Sequence, residues 1–92
     1  FEITEEEIRD LLNKIEDPGK TILLTHFPPY GTGLDIIRDG NHVGSKSLRE
    51  FLERNKILIS FCGHIHECGG RVFILRENIC VNVARKPFYF EW

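Results

Sequence analysis

Apolar positions change their spacing along this chain, and each change predicts a new structural element. In the first segment they recur at helical intervals with charges between them: Ile8, Leu11, Leu12 and Ile15. Thr4 followed by Glu7 has the pattern of a capping box, in which a hydroxyl and a carboxylate pair with the first free backbone N–H groups of a helix. The pattern predicts an amphipathic surface helix over residues 4–16, ended by Asp17-Pro18-Gly19.

Two short and mostly apolar segments, residues 20–25 and 57–62, predict strands. Continuous apolar character without alternation is expected of strands that are buried on both faces. A second helix is predicted between them, with Ser45 as its N-cap and an apolar stripe formed by Leu48, Phe51 and Leu52. Because a strand-helix-strand step follows the right-handed crossover rule, we expect the two strands to be parallel neighbours.

The last third of the chain changes to short strands joined by tight turns. Residues 71–76, 78–83 and 88–90 fit this pattern, which predicts antiparallel pairing. The chain shows no internal repeat, low-complexity stretch or domain linker. The fold class predicted from the sequence is therefore α/β, with a mixed sheet and surface helices in a single domain.

Composition limits the possible functions. The net charge of −2 argues against an electrostatic footprint for nucleic acid and against a polybasic membrane contact. Three cysteines, an odd number, suggest free thiols in a reducing compartment, so we expect a cytoplasmic protein. The chain has no methionine and begins Phe1-Glu2, which we interpret as the start of a fragment. Only a marginal core is expected from 92 residues, so a partner or more polypeptide is expected.

Histidines follow both predicted parallel strands. His26 comes after the first strand, and Gly63-His64-Ile65-His66 comes after the second. The carboxyl ends of parallel strands meet at one edge of the sheet, where ligands commonly bind. Two histidines at i and i+2 also share a face where the backbone is extended. Three imidazoles at one edge predict a metal site. Residues 27–43 form a long irregular loop, which we expect to cover that site.

Two less specific interpretations of the histidines stay open. Cys62, His64, His66 and Cys68 alternate along the chain and could form a zinc knuckle, although a straight strand would spread them too far for one ion. His64 and His66 could also form hydrogen bonds within a core. The glycine before His64 and the position at a strand end favour a solvent-facing site over hydrogen bonding within a core, whereas a turn at Gly63 could bring the knuckle residues closer together.

Three segments resemble the last two sequence blocks of calcineurin-like metallophosphoesterases: residues 24–31, 42–49 and 62–67. The resemblance implies a four-layer αββα sandwich with two sheets inside. It also implies two divalent ions, which could be Mn, Fe, Zn or Ni, with His26 and His64 binding one ion and His66 the other. Hydrolysis of a phosphate monoester or diester by a hydroxide that bridges the ions would follow. The substrate would be a phosphorylated small molecule or a nucleotide.

The chain also departs from that family. The earlier blocks, which carry the carboxylate ligands and the histidine that assists the leaving group, are absent. Gly40-Asn41-His42 looks like the third block, but Val43 replaces its acid and the triplet lies after His26, so we interpret the match as chance. We instead expect His42, Gly44 and Ser45 to lie near the substrate. For Ser45 helix capping is the favoured role, and the closing Asn82-Val83-Ala84 lacks the family's Asn-Pro-Gly.

We therefore expect residues 1–92 to form the C-terminal half of a single metallophosphoesterase domain. Three neutral imidazoles without a carboxylate would not hold two divalent ions tightly, so this half alone should be inactive. Its expected partner is the N-terminal half, on the same polypeptide or on another chain. The alternative is a non-catalytic scaffold, or an interaction module that binds a single metal ion.

Overall fold

The computed structural model describes residues 3–84. The strand expected at residues 88–90 lies outside this range. Along the described chain, the helices and strands follow in the order α1 (Glu5–Leu12), β1 (Ile22–Leu24), α2 (Lys46–Arg54), β2 (Ile59–Cys62), β3 (Val72–Leu75) and β4 (Asn78–Asn82). Two short 3-10 helices, Pro18–Lys20 and His66–Cys68, lie in the connections.

Helix α1 begins with the predicted capping box. The hydroxyl of Thr4 accepts from the backbone N–H of Glu7, and the Glu7 carboxylate accepts from the backbone N–H of Thr4, both at 3.1 Å. The helix ends at Leu12, earlier than the predicted residue 16. Lys14 and Ile15 donate to carbonyls three residues back, so the last turn tightens before Pro18.

Helix α2 confirms the predicted cap at Ser45, whose hydroxyl accepts from the backbone N–H of Leu48 at 3.0 Å. At its other end, beyond the C-cap residue Asn55, α2 is held by the buried side chain of Asn78. The amide nitrogen of Asn78 donates to the carbonyl oxygens of Leu52 and Asn55, and its oxygen accepts from Ile57. One buried amide thus fixes the end of α2 against the beginning of β4.

The four strands form one mixed sheet in the order β1-β2-β4-β3. Strands β1 and β2 are parallel, as predicted, and β2 is also parallel to β4. Strands β3 and β4 form the predicted antiparallel pair. The mixed α/β class is therefore confirmed.

The two faces of the sheet have different surroundings. One face packs against both helices, and its core unites α1, α2 and the strands: Ile8, Leu12, Leu48, Leu52, Cys62, Leu75 and Cys80. The register places Leu24, Phe61, Val81 and Val72 in one row across the opposite face. The described residues thus supply one layer of helices and one sheet.

The prediction that β1 is buried on both faces is wrong for the described chain. Leu24 is 77% exposed and Ile22 41% exposed, on the face away from the helices. Strand β1 lies at the edge of the sheet, so it has a neighbouring strand on one side only. At the opposite edge Val72 and Ile74 of β3 are also exposed. The prediction holds better for β2, where Ile59, Ser60 and Cys62 are buried.

Within residues 3–84, no helix is both long enough and apolar enough to cross a membrane.

Candidate metal centre

The imidazoles of His26 and His64 meet at the carboxyl ends of β1 and β2. Their ring centroids lie 4.7 Å apart, and the ring planes are tilted by 47°. Both residues are exposed. The pairing of the strands explains the meeting, because Leu24 is in register with Phe61 and the backbone N–H of Thr25 donates to the carbonyl of Phe61. The two histidines thus follow the ends of neighbouring strands at nearly the same height along the sheet.

His64 adopts a left-handed backbone conformation with φ of 68°. This region costs a residue with a Cβ atom about 1 kcal/mol. The turn is closed by a hydrogen bond of 2.8 Å from the N–H of Ile65 to the carbonyl of Gly63. An exposed residue in a sparsely populated conformation is common at functional sites, where the surrounding structure maintains the strain.

The expectation that His64 and His66 share the face of an extended strand is wrong. Strand β2 ends at Cys62, His64 lies in the left-handed turn, and His66 begins a 3-10 helix. A glycine and a tight turn end the extended backbone before the first of the two histidines. The side chain of His66 lies outside the described part of the structure, so its role as a ligand stays a prediction.

The cysteines do not support a zinc knuckle. Cys62 and Cys68 are buried, and their thiols contact the backbone carbonyls of Val81 and Ile36. Burial raises the pKa of the Cys62 thiol from 9.0 to about 12, so it stays protonated at neutral pH. A thiol must lose its proton to bind zinc. These contacts assign the two cysteines to packing between the sheet and the loops.

Asn82 connects the two loops that reach the histidines. Its buried amide nitrogen donates to the carbonyl of Leu34 at 3.1 Å and to the carbonyl of Ile65 at 3.2 Å. Its side-chain oxygen accepts from the backbone N–H of Ala84. Although Asn-Val-Ala replaces the resembled family's Asn-Pro-Gly at this point, the asparagine makes a complete set of contacts.

Asp35 is a central residue of the loop, and the sequence interpretation missed it. Its carboxylate is fully buried and accepts four hydrogen bonds. The donors are three backbone N–H groups and one ring nitrogen, from Gly31, Thr32, Gly44 and His42. An acidic residue between glycines in a long loop gave a weak signal, because the same pattern is common in exposed turns.

The three residues expected near the substrate lie together beside Asp35. His42 and Gly44 donate to it directly, whereas Ser45 belongs to the cap of α2. The hydroxyl of Ser45 accepts from Leu48 and donates to Glu5, so its hydrogen bonds lie within the fold. This supports the capping role, and the position of Ser45 near a substrate stays a prediction.

The two basic residues at the start of α2 differ in their contacts. Arg49 donates to the carbonyl oxygens of Tyr30 and Gly31, and so holds the loop from the helix. Lys46 is exposed, and its ammonium group lies 5.0 Å from the centre of the Tyr30 ring. Lys46 thus faces solvent, whereas Arg49 is bound to the loop.

The described residues supply part of a metal site. In residues 3–84, leaving aside the undescribed side chain of His66, no group of three or more His, Cys, Asp or Glu side chains could hold a metal ion. Two exposed imidazoles do meet, and neutral imidazole is a suitable ligand for Mn, Fe, Zn and Ni. The donor set therefore fits part of the coordination of a divalent ion, and further ligands are needed.

The model of the family described as calcineurin-like phosphoesterase matches residues 1–68, a range that includes His26, His64 and His66. The chain belongs to this family. Phosphoester hydrolysis and the use of divalent metal ions are general properties of that family. The match extends from the first helix through the second histidine loop and ends before β3.

The chain is also similar to MJ1162, an uncharacterized protein of Methanocaldococcus jannaschii. The two are 44% identical over 95 residues, which cover 96% of this chain and 42% of the relative. The chain therefore spans less than half the length of this curated relative. No solved structure matches the chain significantly.

Proposed function

We propose that this chain is the C-terminal half of a metallophosphoesterase domain that hydrolyses a phosphate monoester or diester. The observation that carries this proposal is the pair of exposed imidazoles, His26 and His64, 4.7 Å apart at the carboxyl ends of parallel strands in a member of this family. Two ligands in one place, each fixed by its own strand end, form a rigid platform for a metal ion.

In this proposal His26 and His64 bind one divalent ion and His66 binds a second. When bound, a pair of ions lowers the pKa of a bridging water and neutralises charge on the attacking and leaving oxygens of the displacement. The chain contributes by orienting the imidazoles. The turn at His64 directs its ring toward His26, and Asn82 holds the following Ile65 against the loop.

The remaining ligands would come from an N-terminal half. Two observations support this: the chain covers 42% of its relative, and one face of its sheet is apolar and partly exposed. Leu24, Val72 and Ile74 on that face would pack against a second sheet in a four-layer sandwich. The same half would supply the carboxylates that two divalent ions need, so residues 1–92 alone would be inactive.

The proposed substrate is a phosphorylated small molecule or a nucleotide. With a net charge of −2, the whole chain does not attract anions, so the attraction must come from the ions and nearby cationic groups such as Lys46. A cytoplasmic location is proposed as well. The three free, buried cysteines fit a reducing environment.

A second candidate is a non-catalytic scaffold or a module that binds one metal ion. It is favoured by the finding that only two imidazoles meet among the described side chains of residues 3–84. The sequence of any polypeptide that precedes Phe1 would discriminate between the candidates. Asp-x-His and Gly-Asp-x-x-Asp blocks upstream would support the enzyme, and their absence would support the scaffold.

Hydrolysis of p-nitrophenyl phosphate and of its bis ester tests the proposal, with the complete natural polypeptide and added manganese. We expect His64→Ala to lower kcat/KM by roughly 100-fold or more, because it removes a ligand from the centre. Glu50→Gln, on the exposed part of α2, is the control and should keep its activity. Undiminished turnover in His64→Ala would remove this residue from the mechanism. If the unaltered protein showed no turnover with Mn, Fe, Zn or Ni, the scaffold would be favoured.

A further inference from the structure

The buried carboxylate of Asp35 holds the imidazole of His42 in a fixed orientation. Nδ1 of His42 lies 2.7 Å from Oδ1 of Asp35, whose side chain is fully buried. Three backbone N–H groups already donate to that carboxylate at distances of 2.9 to 3.1 Å. The loop is thus folded around Asp35 by its own backbone, and the ring of His42 occupies the remaining acceptor position.

The contact with Asp35 fixes which nitrogen of His42 carries a proton. A carboxylate surrounded by donors can only accept, so Nδ1 must donate its proton to Asp35. Nε2 is then the free nitrogen of the ring, and no residue of the described chain is hydrogen-bonded to it. The His42 side chain is 35% exposed, so the ring reaches solvent while its orientation is held from the buried side. The same pairing orients functional imidazoles in many enzymes.

The segment that carries His42 is bound to the chain that leaves His26. The N–H of Ser45 donates to the carbonyl of Pro28 at 2.8 Å, and the N–H of Tyr30 donates to the carbonyl of Ser45 at 3.0 Å. Gly44 packs so closely on Pro28 and Pro29 that a Cβ atom there would lie 2.6 Å from the Pro28 carbonyl oxygen. The position of His42 is therefore coupled through rigid backbone to the loop of a candidate metal ligand.

The surroundings of His42 favour an anionic ligand. Its ring centroid lies 5.8 Å from that of Tyr30, and the ammonium group of Lys46 lies 5.0 Å from the Tyr30 ring. The N-terminus of α2 is not the source of this character, because Glu5 accepts from the N–H of Ser47 and occupies it. The imidazole of His42 and an ammonium group thus lie around one aromatic ring, and both can donate to an anion when the imidazole carries two protons.

We propose that the ring of His42 binds substrate with both nitrogens protonated, so that Nε2 donates a hydrogen bond to an oxygen of the phosphoester while Nδ1 donates to Asp35. Asp35 is the positioning residue that holds the ring for this contact. The inference rests on the proposed function and deepens it, since it assigns a substrate contact outside the metal ligands. The ligand is a phosphoryl group, which this chain would bind through His42 with Lys46 nearby.

The first test is the kinetics of His42→Gln in the complete natural polypeptide, with p-nitrophenyl phosphate and manganese. Because a hydrogen bond to a charged group is lost, kcat/KM should fall roughly 10- to 100-fold while the bound manganese stays unchanged. Asn41→Ala is the matched control, since it is the exposed neighbour in the same loop, and should stay within about twofold. A kcat/KM within that range for His42→Gln would overturn the proposal, and so would loss of manganese, which would make His42 a metal ligand.

The second test does not depend on turnover. In the zinc-loaded, diamagnetic protein, nitrogen NMR of the histidine rings should show Nδ1 of His42 protonated, and inorganic phosphate should shift its Nε2 signal in a saturable way. A ring protonated on Nε2 alone would overturn the role of Asp35, and an unchanged signal would overturn the phosphate contact. If the unaltered protein hydrolyses no ester, the proposed function fails, and the phosphate titration still decides on His42 independently.

Discussion

The side-chain amide of Asn82 donates to the carbonyl oxygen of Ile65 at 3.2 Å. This contact joins the last described strand to the residue between His64 and His66. The same nitrogen reaches Leu34, so one amide holds both loops around the candidate metal centre. The proposed site is thus supported from within the core, by a residue that takes no part in the proposed coordination.

Replacing Asn82 by alanine should destabilise the fold. The carbonyl oxygens of Leu34 and Ile65 would lose a buried donor, and we expect the free energy of unfolding to fall by about 2 to 3 kcal/mol. Urea denaturation followed by circular dichroism measures this change. Asn41→Ala, at an exposed loop position, is the control, and an equal loss in both variants would contradict the role of Asn82.

Gly44 should not tolerate a methyl group. A Cβ atom at this position would lie 2.6 Å from the carbonyl oxygen of Pro28, and only backbone movement could relieve the overlap. Gly44→Ala should therefore cost about 1 to 3 kcal/mol of stability, the typical cost of overpacking. Gly33→Ala is matched to it, because nothing lies within 4 Å of a Cβ atom there. Similar thermal midpoints for the two variants would show that the loop is not held as described.

The hydroxyl of Ser60 is buried without a hydrogen-bond partner in the described structure. Ser60→Ala should keep the stability unchanged or raise it by up to about 1 kcal/mol, because it removes a polar group that lost its water on folding. The comparison is Ser47→Ala, where a buried hydroxyl donates to the carbonyl of Glu5 at 2.9 Å. That variant should be destabilised. The prediction fails if chemical denaturation shows Ser60→Ala to be the less stable of the two.

The backbone of His64 is strained, because its φ angle of 68° is positive. Glycine adopts positive φ without a Cβ penalty, so His64→Gly should be more stable than His64→Ala by about 1 kcal/mol. Both variants should lose metal to a similar extent, as measured by elemental analysis after dialysis. Equal stability of the two would show that the left-handed turn carries no strain.

Stability should fall in alkaline solution because of Cys62. Its pKa is raised by burial from 9.0 to about 12, and that of Cys80 to about 11. The fold keeps the buried thiol neutral, whereas the thiol of the unfolded chain ionises above its pKa of 9.0. The contribution of the thiol to the free energy of unfolding is therefore fully present below pH 9.0 and is lost as the pH rises toward the folded pKa. Unfolding free energies measured at about pH 8 and about pH 10.5 should differ, by less in Cys62→Ala than in the unaltered chain. A loss of equal size in both would exclude this thiol as a cause.

Sequence patterns predicted several elements correctly because their signals are local. The capping box at Thr4, the cap at Ser45 and the parallel order of the strands that precede His26 and His64 all follow from nearby residues or from the chirality of the crossover. The predicted end of α1 and the predicted burial of β1 on both faces were wrong. Helix ends depend on how the last turn tightens, and the burial of a strand depends on which layers cover it.

The sequence by itself determined the order of helices and strands, the family and the three histidines, because spacing and residue type are written along the chain. Tertiary structure alone decided that Asp35 lies at the centre of the loop and holds His42, and that Asn82 joins both loops. It also decided that His64 turns into a left-handed conformation beside His26. These contacts join residues distant along the chain, or depend on the backbone path of a turn, and folding establishes them when it brings the strand ends to one edge of the sheet.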